Sequence, residues 1–155
     1  MKCDKPFIVA YDALFGYLYN LGGKDELLTF WKLLGDAILG QFREKAKAYG
    51  IAGMASYWAE TLKAEGAHFR LTIDIPGDSL ILDMDGCPSL RKLNEECIAP
   101  HCMYCHHCDN LYGKAVTEMG YLYQRVQKPK GCTIWIRRDS YCSEEVDMQP
   151  PAETS

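Results

Sequence analysis

The chain has 155 residues, 48% of them hydrophobic and 25% charged, with a formal net charge of −4. That length closes a sizeable hydrophobic core in one domain. No run approaches the ~20 apolar residues of a membrane span, and nothing in the charge pattern supplies the clustered basic surface that nucleic acid requires.

The acidity is local. The last segment, SEEVDMQPPAETS, carries Glu144, Glu145, Asp147 and Glu153 and no Lys or Arg, and the remaining acidic residues balance the 17 basic ones. This divides the chain into a near-neutral α+β domain over residues 1–142 and a disordered acidic tail over 143–155. The N-terminus, MKCDKPFIVAYDALF, has a short apolar run that Asp12 interrupts, with no small-residue cleavage site after it. The expected compartment is the cytoplasm, where thiols stay reduced. Eight cysteines then point to metal binding or reactivity rather than to disulfides.

In chain order, residues 5 to 20 are apolar with tyrosines interspersed, and Leu21-Gly22-Gly23 ends the segment as a helix stop. Asp25 and Glu26 open a second helix, whose Leu27, Trp31, Leu34, Ile38 and Phe42 form a stripe at helical spacing. Arg43, Lys45 and Lys47 suit its C-terminal end, and Tyr49-Gly50 closes it. A third helix is expected from Ala52 to Glu65, with Met54, Trp58 and Leu62 on one face and Gly66 as its stop. These aromatic and Met residues are core positions, with Trp31 and Trp58 as candidates to line a pocket. The first helix, rich in Tyr, is a candidate homodimer contact.

The period then changes to two. HFRLTIDI sets Phe69, Leu71 and Ile73 against His68, Arg70, Thr72 and Asp74, the pattern of a half-buried strand. Pro76 and Gly77 suit the two central positions of a type II turn, and SLILDMD returns as the partner strand. Gly86-Cys87-Pro88 ends this hairpin. A short helix over Ser89–Glu96 follows, then a cysteine-rich connection, then a helix from Cys105 to Met119 closing at Gly120. YLYQRVQ and CTIWIRR, joined by Lys128-Pro129-Lys130-Gly131, form a second hairpin. The order implies an α+β fold, an antiparallel sheet of two β-hairpins packed against N-terminal and central helices.

The connection APHCMYCHHCDN places three cysteines and three histidines within eight positions. Cys102-x2-Cys105-His106 spells a covalent haem motif, which the cytoplasmic context disfavours because such attachment accompanies export. Cys97, Cys102, Cys105 and Cys108 could hold zinc, or with less support an iron–sulfur cluster. Three cysteines at i, i+3 and i+6 drift around a helix, so a site built from one or two of them plus cysteines elsewhere is the better expectation. Cys87, just past the second strand, and Cys132, opening the fourth, are those candidates. A helix N-terminus near Cys105 should lower thiolate pKa there, with His101, His106, His107 and Asp109 as acid–base or ligand groups. Cys3 and Cys142 are taken as small buried hydrophobes.

YGIAGMASYWAETLKAEGAHFRLTI, the hairpin ending in GCP, the later CHHCD and the closing KGCTIWIR resemble the L-2-amino-thiazoline-4-carboxylic acid hydrolase-like family over about residues 45–138. The layout is also similar to small-molecule-binding domains of the 4-vinyl reductase type, which implies a pocket between helices and sheet. The resemblance implies that Cys87, Cys108 with Asp109, and Cys132 are the family cysteines, with Cys97, Cys102 and Cys105 as additions. It implies a small-molecule substrate opened at a C–N or C–S bond, either by thiolate addition or by water on a thiolate-held metal. His106 or His107 would then move the proton and Asp109 would orient the site. On this basis the metal candidates are Cys87, Cys102, Cys105, Cys108 and Cys132.

Overall fold

A computed structural model describes residues 4–139. Cys3, Cys142 and the expected acidic tail lie outside them. The fold is α+β. Helix α1 (Lys5–Ile38) and helix α2 (Gly40–Ala64) lead into strands β1 (His68–Asp74) and β2 (Ser79–Gly86) and helix α3 (Pro88–Glu95). Helix α4 (His106–Cys108), a π-helical segment (Asp109–Gly113) and helix α5 (Lys114–Glu118) run on into strands β3 (Tyr121–Lys128) and β4 (Gly131–Arg138). The sheet is antiparallel throughout, in the order β1-β2-β4-β3. None of the helices among the described residues is long and apolar enough to cross a membrane.

Of the glycine stops expected from the sequence, Gly66 and Gly120, left-handed at φ 69° and 79°, follow the ends of α2 and α5, whereas the others appear as kinks rather than separations. Helix α1 bends at Gly22 and Gly23, and α2 bends at Gly50, whose φ of 56° favours glycine. The break between α1 and α2 falls at Leu39, inside the apolar stripe, where one residue departs from helical geometry (φ −90°, ψ 16°). Gly40 follows it directly, and Leu39 is itself buried core. The outer side of α1 leaves Phe7, Leu14, Tyr17 and Leu21 exposed.

The first hairpin differs from expectation at its turn. Asp78 N–H donates to the Ile75 carbonyl (3.1 Å), but the left-handed residue is Asp78 (φ 42°), not Gly77, so the turn is not type II. A Cβ on Gly77 would come within 2.3 Å of the Asp74 carboxylate, which accepts the Gly77 N–H at 3.2 Å, so a larger residue there would push that side chain off its bond.

The inner face of the sheet packs Leu80, Leu82, Met84, Ile134 and Ile136 against Phe15, Trp31, Phe42 and Met54 from the helices. Pairing of β2 with β4 sets Met84 opposite Cys132, and the Cys87 N–H donates to the Lys130 carbonyl at 2.8 Å. The strand ends carrying Cys87 and Cys132 therefore meet at one end of the sheet, as the sequence led us to expect. Gly131 permits this, since a Cβ there would lie 2.0 Å from the Met84 carbonyl oxygen.

Helix α3 ends in a Schellman motif. Ile98 N–H donates to Leu93 O (3.0 Å) and Cys97 N–H to Asn94 O (3.0 Å), with Cys97 left-handed at φ 56°. Exposed Cys97 thus occupies a position that glycine fills without steric cost, and the left-handed conformation costs an ordinary residue ~1–2 kcal/mol. Cys97→Gly should stabilise the fold by about 1 kcal/mol and raise the melting temperature by roughly 2–4 °C. A thermal scan showing an unchanged or lower midpoint would contradict this account of Cys97.

Candidate functional site

The connection from α3 to α4 is anchored at His101. Buried Asp12, on α1, accepts the His101 N–H at 2.8 Å. The His101 ring takes the Met103 N–H on Nδ1 (3.2 Å), and its carbonyl takes the Tyr104 N–H (2.8 Å). These bonds hold the chain so that Tyr104 turns inward, 1% exposed, between the helices and the sheet. His101 is thereby a backbone organiser of the connection.

The helix expected from Cys105 to Met119 is interrupted. One α turn carries His106, His107 and Cys108, and the next residues, Asp109–Gly113, widen into a π turn before α5 resumes. Such π segments place an extra residue in the turn and redirect the side chains beside it. Here the segment packs Leu111 into the core and lays Tyr112 against Phe42 and Trp58, with ring centroids 5.3 and 5.4 Å away.

His107 and Cys108 line a cavity of about 580 Å³ between α1, α2 and the inner face of the sheet. Its wall includes Cys87 and Cys132 from the sheet end and Trp58 and Tyr104 from the helical side. The His107 ring stands among the rings of Tyr11, Phe15 and Tyr104, with centroids 5.7, 5.8 and 5.1 Å away. Its Nδ1 contacts the Tyr104 carbonyl and its Nε2 lies 3.4 Å from Cys108 Sγ. A carbonyl oxygen only accepts, so Nδ1 carries the proton. A neutral ring then leaves Nε2 as an acceptor, and the Cys108 thiol donates to it.

Both side chains are half-buried at the cavity wall, and desolvation by the protein packed around them keeps both neutral. Desolvation pushes the His107 pKa down to about 4, opposed by its bond to the Tyr104 carbonyl and reinforced by the Arg125 charge. Desolvation pushes the Cys108 thiol up to about 12, and Arg125 opposes it. The same cause raises Cys105 to about 11 and Cys132 to about 12, and it raises Cys87. The sequence led us to expect a lowered thiolate pKa at a helix N-terminus, and this is corrected. A helix dipole contributes ~0.3–1 kcal/mol, less than about one pKa unit, whereas burial lifts Cys108 from 9.0 to about 12. A helix that departs into a π turn after Cys108 also has little dipole to offer.

Cys87, Cys108 and Cys132 line the same cavity, and an ionised Cys108 would raise the pKa of Cys87, Cys105 and Cys132. The structure therefore brings Cys87, Cys105, Cys108 and Cys132 into one neighbourhood. Cys97 and Cys102 stay exposed, with Cys102 Sγ 4.0 Å from His101 Nε2. Among the described residues no group of three or more His, Cys, Asp or Glu side chains is disposed to hold a metal ion. The expected metal candidates Cys87, Cys102, Cys105, Cys108 and Cys132 form no such group among those residues.

Asp109 engages a partner that the sequence did not announce. Arg125 Nε and Nη2 donate to its two carboxylate oxygens at 2.6 and 2.8 Å, and Tyr123 Oη donates at 3.4 Å. The Arg125 side chain is 8% exposed. Of the two expected proton-moving histidines, His106 is half exposed and lies 3.5 Å from Asp109 Oδ2, away from the cavity lining, while His107 lies at the cavity wall. One signal for Arg125 was available. Tyr121, Tyr123 and Arg125 alternate in β3, so a tyrosine-rich inward row carries a guanidinium, which requires a carboxylate partner.

Two pH limits follow from the shifts. The folded thiols hold their protons above the ordinary value of 9.0, so the unfolded chain loses protons first and stability falls as pH rises from about 9 towards 12. The unfolded chain takes up protons at His107 near 6.5 while the folded state resists to about 4, so stability also falls across that acid window. Melting temperatures of the wild type and His107→Gln, measured from pH 4 to 7, should show a shallower slope in the variant; equal slopes would contradict a buried neutral His107. At pH 8, iodoacetamide should alkylate Cys97 and Cys102 at least ~10-fold faster than Cys105, Cys108 and Cys132, as mapped on peptides. Fast labelling of Cys108 would contradict its raised pKa.

No family model, curated protein or solved structure matches this chain, so the likeness to the thiazoline-carboxylate hydrolase-like group rests on the quoted residues alone.

Proposed function

We propose that the protein is a cytoplasmic small-molecule hydrolase that opens a C–N or C–S bond at an amidine-like carbon, with Cys108 as nucleophile and His107 as general base. The observation that carries this reading is the Cys108–His107 pair on the cavity wall, 3.4 Å apart, with its tautomer set by the Tyr104 carbonyl. A nucleophile, a base within hydrogen-bond reach and a third group orienting the base form the arrangement that activates a thiol in place.

The pair rests as thiol and imidazole, so proton transfer accompanies attack rather than preceding it. Sγ bonds to the amidine carbon while the thiol proton passes to His107 Nε2, and the C=N electron pair moves to nitrogen. His107 returns the proton to the departing nitrogen or sulfur as its bond to that carbon breaks and the lone pair of the nitrogen that stays re-forms the C=N bond. Water then adds to the thio-linked carbon, giving its proton to His107, and the C–Sγ bond breaks to restore the thiol. Arg125, whose charge already favours the ionised form of Cys108, Cys105 and Cys132, offsets negative charge on sulfur as it builds. Asp109 positions Arg125 through its two-point contact.

A second reading, a small-molecule-binding or sensor module, draws on the raised thiol pKa values, since buried protonated cysteines are chemically quiet. Hydrolysis of 2-aminothiazoline and of S-methylisothiourea, followed by product mass, separates the two. Under the enzyme reading Cys108→Ala abolishes turnover and His107→Gln lowers it by ~10²–10⁴, both with melting temperatures within a few degrees of wild type. Full activity in Cys108→Ala would remove the nucleophile assignment. Absence of turnover in the wild type, with ligand binding retained, would favour the binding module.

A further inference from the structure

The cavity wall is almost free of charge. Among its lining residues Glu65 is the single formally charged side chain, and none is Lys or Arg. Glu65 caps the C-terminus of α2, seven residues beyond Trp58, so the two lie two turns apart on one helix face. Its carboxylate has no ion-pair or side-chain hydrogen-bond partner among the described residues. The guanidinium that reaches this corner, Arg91, donates to the backbone carbonyls of Gly66 (3.0 Å) and Glu65 (3.4 Å) and pairs with Glu95 at 3.8 Å. The Glu65 charge is felt at Tyr112, Cys87 and Cys108, so the carboxylate acts on the cavity side of the helix end.

Beside it stands an aromatic wall. Tyr57, Trp58 and Tyr112 all line the cavity, with Trp58–Tyr112 centroids 5.4 Å and Tyr57–Tyr112 centroids 6.3 Å apart. Phe42 backs all three rings at 5.3 Å. Ring faces attract cations, and a partly desolvated carboxylate without a counter-ion attracts them more strongly.

We propose that the cavity binds an organic cation with an apolar or aromatic body, its charge held between the Glu65 carboxylate and the rings of Tyr57, Trp58 and Tyr112. This assignment rests on the cavity being the ligand site of the Cys108–His107 pair. It disfavours an anionic ligand, because a carboxylate finds no counter-charge on this wall and faces Glu65 instead. A cavity of about 580 Å³ accommodates a small ring-bearing amine with room to spare.

Isothermal titration with benzylamine, benzyl alcohol and benzoate, near-equal in shape but positive, neutral and negative, tests the charge preference. Benzylamine should bind at least ~10-fold more tightly than benzyl alcohol, and benzoate more weakly than either. Glu65→Gln should shrink the benzylamine preference to under ~3-fold, with its fold checked by circular dichroism; if that variant does not fold, the wild-type ranking alone decides. No saturable benzylamine binding, an equal or reversed ranking, or an undiminished preference in Glu65→Gln would overturn the proposal. Benzylamine binding by wild-type protein that hydrolyses neither 2-aminothiazoline nor S-methylisothiourea would overturn the nucleophile assignment and leave the cation site standing.

Discussion

The site depends on one contact, the Nδ1–H of His107 against the carbonyl of Tyr104. It fixes the tautomer, and through it the direction of every other proton in the neighbourhood. With Nδ1 committed, Nε2 must accept, and Cys108 is the group positioned to donate to it. The contact exists because Asp12 and His101 fold the connection back on itself and because the rings of Tyr11, Phe15 and Tyr104 pack around the His107 ring. Removing the Asp12 anchor would loosen the connection far from the cavity yet release the tautomer, which links a buried carboxylate on α1 to the chemistry at α4.

Electrostatically the site is a contest that burial wins. Desolvation is the first cause of the shifts at His107, Cys105, Cys108 and Cys132, and Arg125 is the one nearby charge pulling the thiols the other way. Arg125 cannot be a free cation, since Asp109 engages it through two hydrogen bonds. The result is a resting site of neutral groups with a half-compensated positive charge behind it. Such an arrangement is quiet until a substrate brings an electrophile, and it spares the thiols from indiscriminate alkylation. The apolar cavity and the unpaired Glu65 carboxylate belong to the same economy of charge: what the wall lacks, the ligand supplies.

Much of the fold was legible in the sequence, and the reason is periodicity. The apolar stripe from Leu27 to Phe42, the alternation of Phe69, Leu71 and Ile73, and the two hairpins each answer to one geometric period, and the expected glycines mark real kinks. The meeting of Cys87 and Cys132 also followed, because adjacent strand ends in an antiparallel sheet leave few choices. The break at Leu39 falls beside Gly40 inside a stripe that reads as one helix, and the left-handed residue of the first turn is Asp78 rather than Gly77. What else stayed hidden depends on contacts beyond the local pattern. The π turn after Cys108 and the Asp109–Arg125 pair join segments 16 residues apart in sequence. The sign of the thiol shifts was misjudged for the same reason, since the dipole is local and the burial is not.

The most direct measurement is the nitrogen NMR of the His107 ring in protein labelled at histidine, followed from pH 4 to 9. The account requires one neutral tautomer, protonated at Nδ1 and bare at Nε2, persisting through neutrality and titrating near 4. An imidazolium at pH 7, or a ring protonated at Nε2, would contradict it, because Cys108 would then have no base to receive its proton.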